Sequence, residues 1–292
     1  MTLPSWLFAL LPPLFWAGNV VLGRALHAEL PPLALAFWRW LLALMILLPF
    51  AARTLRGQWP ILRRSWPILS LLALLGVSGY NTFLYVGLQT TTATNAVLLT
   101  STIPVLILGL SFLMLRQGIG RSHVLGILLS LLGVVVIMTQ GATARLFHLV
   151  LAPGDLWILA AAAMWALYSV CLRWRPPDLS PLAFLAAIMI LGLIPLLPLY
   201  LWELSQGRRL DPDLLNLAAI GYVALFPSVI AYIAWNRAVA VLGANRTGLF
   251  IHLIPVFGAL LAMLLLGERL FWFHALGSGL IVAGIWLTAR RH

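Results

Sequence analysis

Within the apolar run 33–48, Phe37-Trp38-Arg39-Trp40 sets one guanidinium between two indoles. A permanent cation at the centre of a bilayer costs roughly 2.5–3.5 kcal/mol, so Arg39 needs partners, and their identity decides its role. No Asp or Glu falls deep in any other apolar run. Two readings stay open. In one, Arg39 lies about two turns below the end of its run, reaches outward to Glu29, Glu268 or backbone carbonyls, and steadies its helix. In the other it faces an internal path and attracts a carboxylate carried by a small molecule. Trp38 and Trp40 add cation–π attraction if packing folds one back over the guanidinium.

The remaining polar residues inside apolar runs are few, and such residues are candidates for a path by default. Trp16 and Asn19 are three apart, on one helical face. Trp165 and Tyr168 repeat that spacing. Tyr80, Asn81 and Tyr85 sit on one run, with Asn81 and Tyr85 at i,i+4. Ser228, Tyr232, Trp235 and Asn236 make one stripe on another. Asn95 and Ser101 precede Pro104, and His252 precedes Pro255. Each proline removes an intrahelical bond, to the carbonyl of Thr100 or Ile251, so both are candidate hinges, with Gly76, Gly79 and Gly248 as further bending points. Taken singly, such side chains can be glue between helices. Taken together they predict an aromatic, sparsely polar cavity suited to an amphiphile.

Other chemistries lack their residues. Cys171 is the single cysteine, which leaves no intrachain disulfide and no thiolate metal cage. No Ser-His-Asp set, paired carboxylate or metal-ligand group falls within the apolar runs, so neither an enzyme, a metal site nor a cofactor is expected. A pI near 11.3 could suggest nucleic acid, but the arginines are strung between apolar runs and form no single wet basic face.

The elements that must position these residues follow from composition. The chain is 63% hydrophobic and 9% charged over 292 residues, with mean hydropathy +1.04. That is too apolar for a water-soluble core. Runs of about 20 residues, enough to cross a bilayer as helix, fall near 5–23, 33–52, 67–88, 93–115, 122–141, 153–172, 180–202, 213–236, 245–266 and 271–289. The expected fold is an all-α polytopic membrane protein with ten transmembrane helices. The first run has no basic leader and reads as a retained span. With both termini placed in the cytoplasm, twelve arginines fall on the inner side and five (Arg24, Arg145, Arg208, Arg209, Arg269) on the outer, with Arg39 inside a span. That obeys the positive-inside rule. Six of the seven acids (Glu29, Asp155, Glu203, Asp211, Asp213, Glu268) fall outside and Asp178 inside.

The halves repeat. At a shift of 149, Trp16-Ala17 pairs with Trp165-Ala166, Arg24 with Arg173 and Pro49 with Pro198. At 151, Pro104 pairs with Pro255, His123 with His274, Gly126 with Gly277 and Gly133 with Gly284. Arg39 pairs with Ile188, so the repeat itself demands no charge there. Five spans per copy, residues 1–146 and 147–292, put the second copy in the membrane upside down. Inverted repeats of this kind place a substrate site between the copies at mid-membrane. Gly126, Ser130 and Gly133 on the fifth span, and Ala275, Gly279 and Ala283 on the tenth, form small-residue stripes that suit close helix packing.

These features together resemble the EamA branch of the drug/metabolite transporter superfamily. The resemblance rests on Phe37-Trp38-Arg39-Trp40, on Gly87-Leu88-Gln89-Thr90-Thr91-Thr92-Ala93-Thr94-Asn95-Ala96, on Pro104 with Pro255, and on Leu266-Gly267-Glu268, and it spans the whole chain. Arg116-Gln117 stands where the second copy has Gly267-Glu268. Within the family the chain is most similar to the YddG-type exporters of aromatic and other amino acids. The resemblance implies a bacterial inner-membrane exporter working by alternating access, with room for a homodimer through the fifth and tenth spans. Export of purines, drugs or other small metabolites is the alternative.

Overall fold

A computed structural model describes residues 5–26, 28–142, 152–266 and 269–289. Arg145, Arg290, Arg291, Gly267 and Glu268, used above, lie outside them. Ten apolar helices carry the fold: α1 (Ser5–Ala25), α2 (Pro32–Gly57), α3 (Trp66–Thr90), α4 (Ala93–Leu115), α5 (Arg121–Met138), α6 (Pro153–Trp174), α7 (Pro181–Ser205), α8 (Leu214–Leu242), α9 (Ala244–Gly248, Leu249–Leu253 and Ile254–Leu266) and α10 (Trp272–Ala289). No strand occurs among the described residues. Among the described residues, nine helices have the length and hydropathy to span a bilayer, and α10 is slightly shorter. The protein is a multi-pass membrane protein of the expected class.

Helix starts follow local chemistry. Pro32, Pro153 and Pro181 occupy the first turns of α2, α6 and α7, where the missing N–H has no helical partner to lose. Ser180 and Asp213 cap α7 and α8, accepting from Ala183 and Asn216. Pro31 offers α2 no side-chain cap. Glu203, from the end of α7, supplies it, accepting from the amides of Leu33 (3.3 Å) and Ala34 (2.7 Å). Its buried carboxylate thus sits at the positive end of the α2 dipole.

Four helices are irregular, in two pairs that the repeat relates. α3 widens to a π-helix over Leu74–Gly79 and α8 over Ala224–Ile230. The wider turn leaves carbonyls for side chains. The Gly76 carbonyl takes Asn81 and Tyr232, and the Val223 carbonyl takes Ser228. α4 breaks at Ser101–Thr102 ahead of Pro104, and α9 runs as a 3₁₀ turn, Leu249–Leu253, ahead of Pro255.

The most extensive helix contacts join one half of the chain to the other: α5 with α10, α2 with α7, α3 with α6, and α1 with α8. The α5–α10 contact has no room for side chains at its crossings. A Cβ on Gly133 would strike the Gly277 carbonyl and Ile281, and one on Gly126 would strike Thr288 and the Gly284 carbonyl. The second predicted stripe behaves differently. Ala275, Gly279 and Ala283 are exposed, because α10 turns Gly277, Ile281, Gly284 and Thr288 toward α5 instead.

Candidate functional site

Arg39 is 1% exposed and does not reach outward. Its Nε donates to Ser228 Oγ at 2.9 Å, and Nη1 donates to Asn81 Oδ1 at 2.7 Å and to the Tyr85 hydroxyl at 2.6 Å. The guanidinium carbon lies 5.2 Å from the Trp40 ring and 5.6 Å from the Tyr85 ring. The expectation of a surface partner is corrected: Glu29 is exposed and unconnected to Arg39, while α3 and the π-turn of α8 bring hydroxyls and an amide to the arginine inside the bundle. Every partner is neutral. Nη2 has no acceptor among the described residues. The guanidinium is therefore solvated by protein dipoles, with no counter-charge among the described residues.

Around this cation is an aromatic cluster centred on Trp165. Its ring meets Trp16 edge-on (4.9 Å, 84°), Tyr80 (4.9 Å), Tyr232 (5.2 Å, 77°) and Trp235 (5.4 Å). Trp40 meets Tyr232 edge-on at 4.9 Å. The residues predicted to line an open chamber are thus gathered but packed on each other, since edge-to-face rings close the space between them. Three indole donors in this cluster, Nε1 of Trp40, Trp165 and Trp235, are buried with no acceptor among the described residues. Trp16 Nε1 has the Pro227 carbonyl at 3.2 Å. Unmade hydrogen bonds of this sort cost about 1–3 kcal/mol each.

Two hydrogen bonds flank the cluster. The Tyr85 hydroxyl donates to Asn19 Oδ1 at 2.8 Å, and the Tyr168 hydroxyl donates to Asn236 Oδ1 at 2.7 Å. The repeat pairs position 19 with 168 and position 85 with 236, so one tyrosine–asparagine contact recurs with its two residue types exchanged.

An open space of about 530 Å³ lies beyond the second pair, lined by Ser169, Arg173, Arg175, Asn236, Ala240 and Gln117 among others. Arg175 stacks its guanidinium 5.1 Å from the Phe184 ring and donates to the Leu179 carbonyl. Partial burial lowers its pKa from the ordinary arginine value, which still leaves it cationic.

Three predicted site residues are held elsewhere. Asn95 donates to the Asp155 carboxylate, which also takes the Thr91 hydroxyl and the Ala152 amide, so this cluster fastens the start of α4 to the start of α6. His252 is buried between α4, α5 and α9, with Nδ1 2.7 Å from Ser130 Oγ and Nε2 2.9 Å from the Ser101 carbonyl. With Nε2 donating to that carbonyl, a neutral ring fills the gap left by the α4 break. The Ser101 hydroxyl turns back on Val97. Sequence reasoning placed all three in the cavity because polarity inside a span does not say which neighbour it faces. Of the two indoles offered as cation–π partners for Arg39, Trp40 takes that place, while Glu203 as a cap and Asp155 as a fastener were missed. A signal for Asp155 was present, an acid at the third position of a Pro-initiated helix.

The family described as EamA-like transporter matches the chain twice, over residues 3–139 and 152–290. An uncharacterized transporter of Archaeoglobus fulgidus is 31% identical over the full length of both chains. The Bacillus subtilis transporter YyaM, likewise uncharacterized, is 30% identical over 94% of this chain and 90% of its own. A WAT1-related chloroplastic protein of Arabidopsis thaliana is 23% identical over 98% of this chain and 70% of its own. A solved crystal structure shares the fold, with TM-score 0.75 at 21% identity over 98% of this chain and 96% of the other.

Proposed function

The chain belongs to the EamA-like transporter family, and from that premise we propose that it exports amphiphilic amino acids, aromatic ones among them, across the bacterial inner membrane. The observation that carries this reading is the donor excess at the centre. A buried guanidinium with only neutral partners stands in a cluster with three unpartnered indole N–H groups. A ligand that supplies acceptors and one negative charge answers both needs, and a carboxylate does so. The rings around it suit an apolar or aromatic body. For the ligand to enter, Trp165, Tyr232 and Trp16 must part.

The proposed mechanism is alternating access between two inverted copies, residues 1–146 and 147–292, rocking about Pro104 and Pro255. The Tyr85–Asn19 and Tyr168–Asn236 pairs are its two latches. With both termini cytoplasmic, the basic space beyond Asn236 opens inward, where export begins. The exposed face Ala275, Gly279 and Ala283 is the surface open to a homodimer.

Purified protein in liposomes tests the reading. Phenylalanine should be taken up, and Arg39→Gln should reduce its flux at least thirty-fold, the scale of a lost buried charge pair. Flux of phenylalanine amide, which lacks the carboxylate, should change far less. Equal losses for both compounds, with the variant folded, would remove the carboxylate from the site. Flux of a purine above that of every amino acid would replace the substrate class.

A further inference from the structure

Between α2 and α3 the chain forms an extra short helix, Trp59–Arg64, with Pro60 in its first turn. It is held rigidly. Gln58 Nε2 donates to the Asp178 carbonyl at 2.7 Å, and Gln58 Oε1 accepts from the Ser180 amide at 3.0 Å, which ties this corner to the α6–α7 turn. Between the short helix, the end of α2, the start of α3 and the flank of α7 runs a groove of about 690 Å³. Its floor is apolar, with Leu69 and Ile190 among its walls. On α7 the walls run from Ala187 to Leu191, about 6 Å of that helix. Its mouth is different. Arg56 and Arg63 stand there exposed, with no ion pair among the described residues. Trp59 and Trp66, each 63% exposed, flank them.

Nothing in the architecture requires this corner. The repeat-related segment, residues 208–213, has no helix, and its Arg208 lies 4.0 Å from Glu203. The extra helix builds an apolar slot that begins at interfacial tryptophans and ends among hydrocarbon-facing side chains, with two free guanidiniums at its entrance. Tryptophan marks the headgroup level of a bilayer. Guanidinium recognises phosphate by paired N–H donation. An uncharged lipid would fill the slot and leave the charges unanswered.

We propose that this groove is a binding site for one anionic phospholipid, its phosphate on Arg56 and Arg63 and an acyl chain lying between α3 and α7. This assignment rests on membership of the membrane alone and is independent of the transported substrate. Native mass spectrometry of the delipidated protein, titrated with phosphatidylglycerol or with phosphatidylcholine of the same chains, tests it. One phosphatidylglycerol should bind in preference to phosphatidylcholine. The Arg56→Gln, Arg63→Gln double variant should weaken that binding roughly thirty-fold, the contribution typical of two basic residues at an anionic surface, and should weaken phosphatidylcholine far less, because its trimethylammonium offsets the attraction of the phosphate the two lipids share. Arg53→Gln with Arg64→Gln removes the same charge from outside the groove and should retain the site. Equal weakening by both double variants would reduce the effect to general surface charge and overturn the proposal. So would equal affinity for the two lipids.

Discussion

At the scale of the residue, the molecule turns on how single charges are answered inside an apolar body. Arg39 and Glu203 are both buried, and they are treated in opposite ways. Glu203 accepts two backbone amides at a helix N-terminus, an arrangement that compensates its charge. Glu203→Gln should therefore cost about 1 kcal/mol of cap and dipole stabilisation. The expected reading is a melting temperature lower by roughly 2–4 °C in detergent, with transport retained. A melting temperature that does not move would mean that the cap contributes nothing. Arg39 has dipoles but no counter-charge among the described residues, so its substitution should appear in substrate selection more than in melting. The sequence announced the arginine clearly, since one cation in an apolar run is conspicuous. It could not give the partners, because Asn81, Tyr85 and Ser228 lie 42, 46 and 189 residues away. Polarity within a span was legible. Orientation was not, and that is why His252 and Asn95 were assigned to the path when each fastens helices elsewhere.

At the scale of the element, hydropathy was sufficient for ten helices and for most of their ends, though α2 continues to Gly57 and α8 to Leu242, past the expected 52 and 236. The π-turns in α3 and α8 left no trace of that kind, because a widened turn changes backbone bonding without changing composition. The proline breaks in α4 and α9 were legible, since the missing N–H is written in the sequence. Small-residue stripes were legible only in part. Two stripes had suitable spacing, yet only Gly126, Ser130 and Gly133 face a neighbouring helix. Gly133→Val should force α5 and α10 apart at the Gly277 carbonyl and cost about 2 kcal/mol or more. Gly279→Val on the open face meets no neighbour within 4 Å and should be close to neutral in the monomer. Thermal unfolding of the two variants side by side checks the contrast, and similar losses would contradict the packing described.

At the scale of the whole molecule, under the alternating access proposed above, the related tyrosine–asparagine pairs set a balance that can be tipped either way. Asn19→Ala and Tyr168→Phe remove one hydrogen bond each at repeat-related positions. Each should shift the population by about fivefold, the equivalent of one buried hydrogen bond, and in opposite directions. Ala240→Cys in a Cys171→Ser background reports on the basic space beyond Asn236. Its labelling by an impermeant maleimide should quicken with Tyr168→Phe and slow with Asn19→Ala. Changes of the same sign would end the latch assignment. The paired prolines and glycines were readable in the sequence, but the packing was not: every helix–helix contact named for the fold crosses from one half to the other. That crossing has a consequence during synthesis. At roughly 5–20 residues per second, Ser228 leaves the ribosome some ten to forty seconds after Arg39. Until residues 153–242 follow, the nascent first five helices have no α6, α7 or α8 to lie against, and α10 comes later still. Asn81 and Tyr85 arrive within seconds, so α3 is the first partner able to shelter the cation while translation of the second half proceeds.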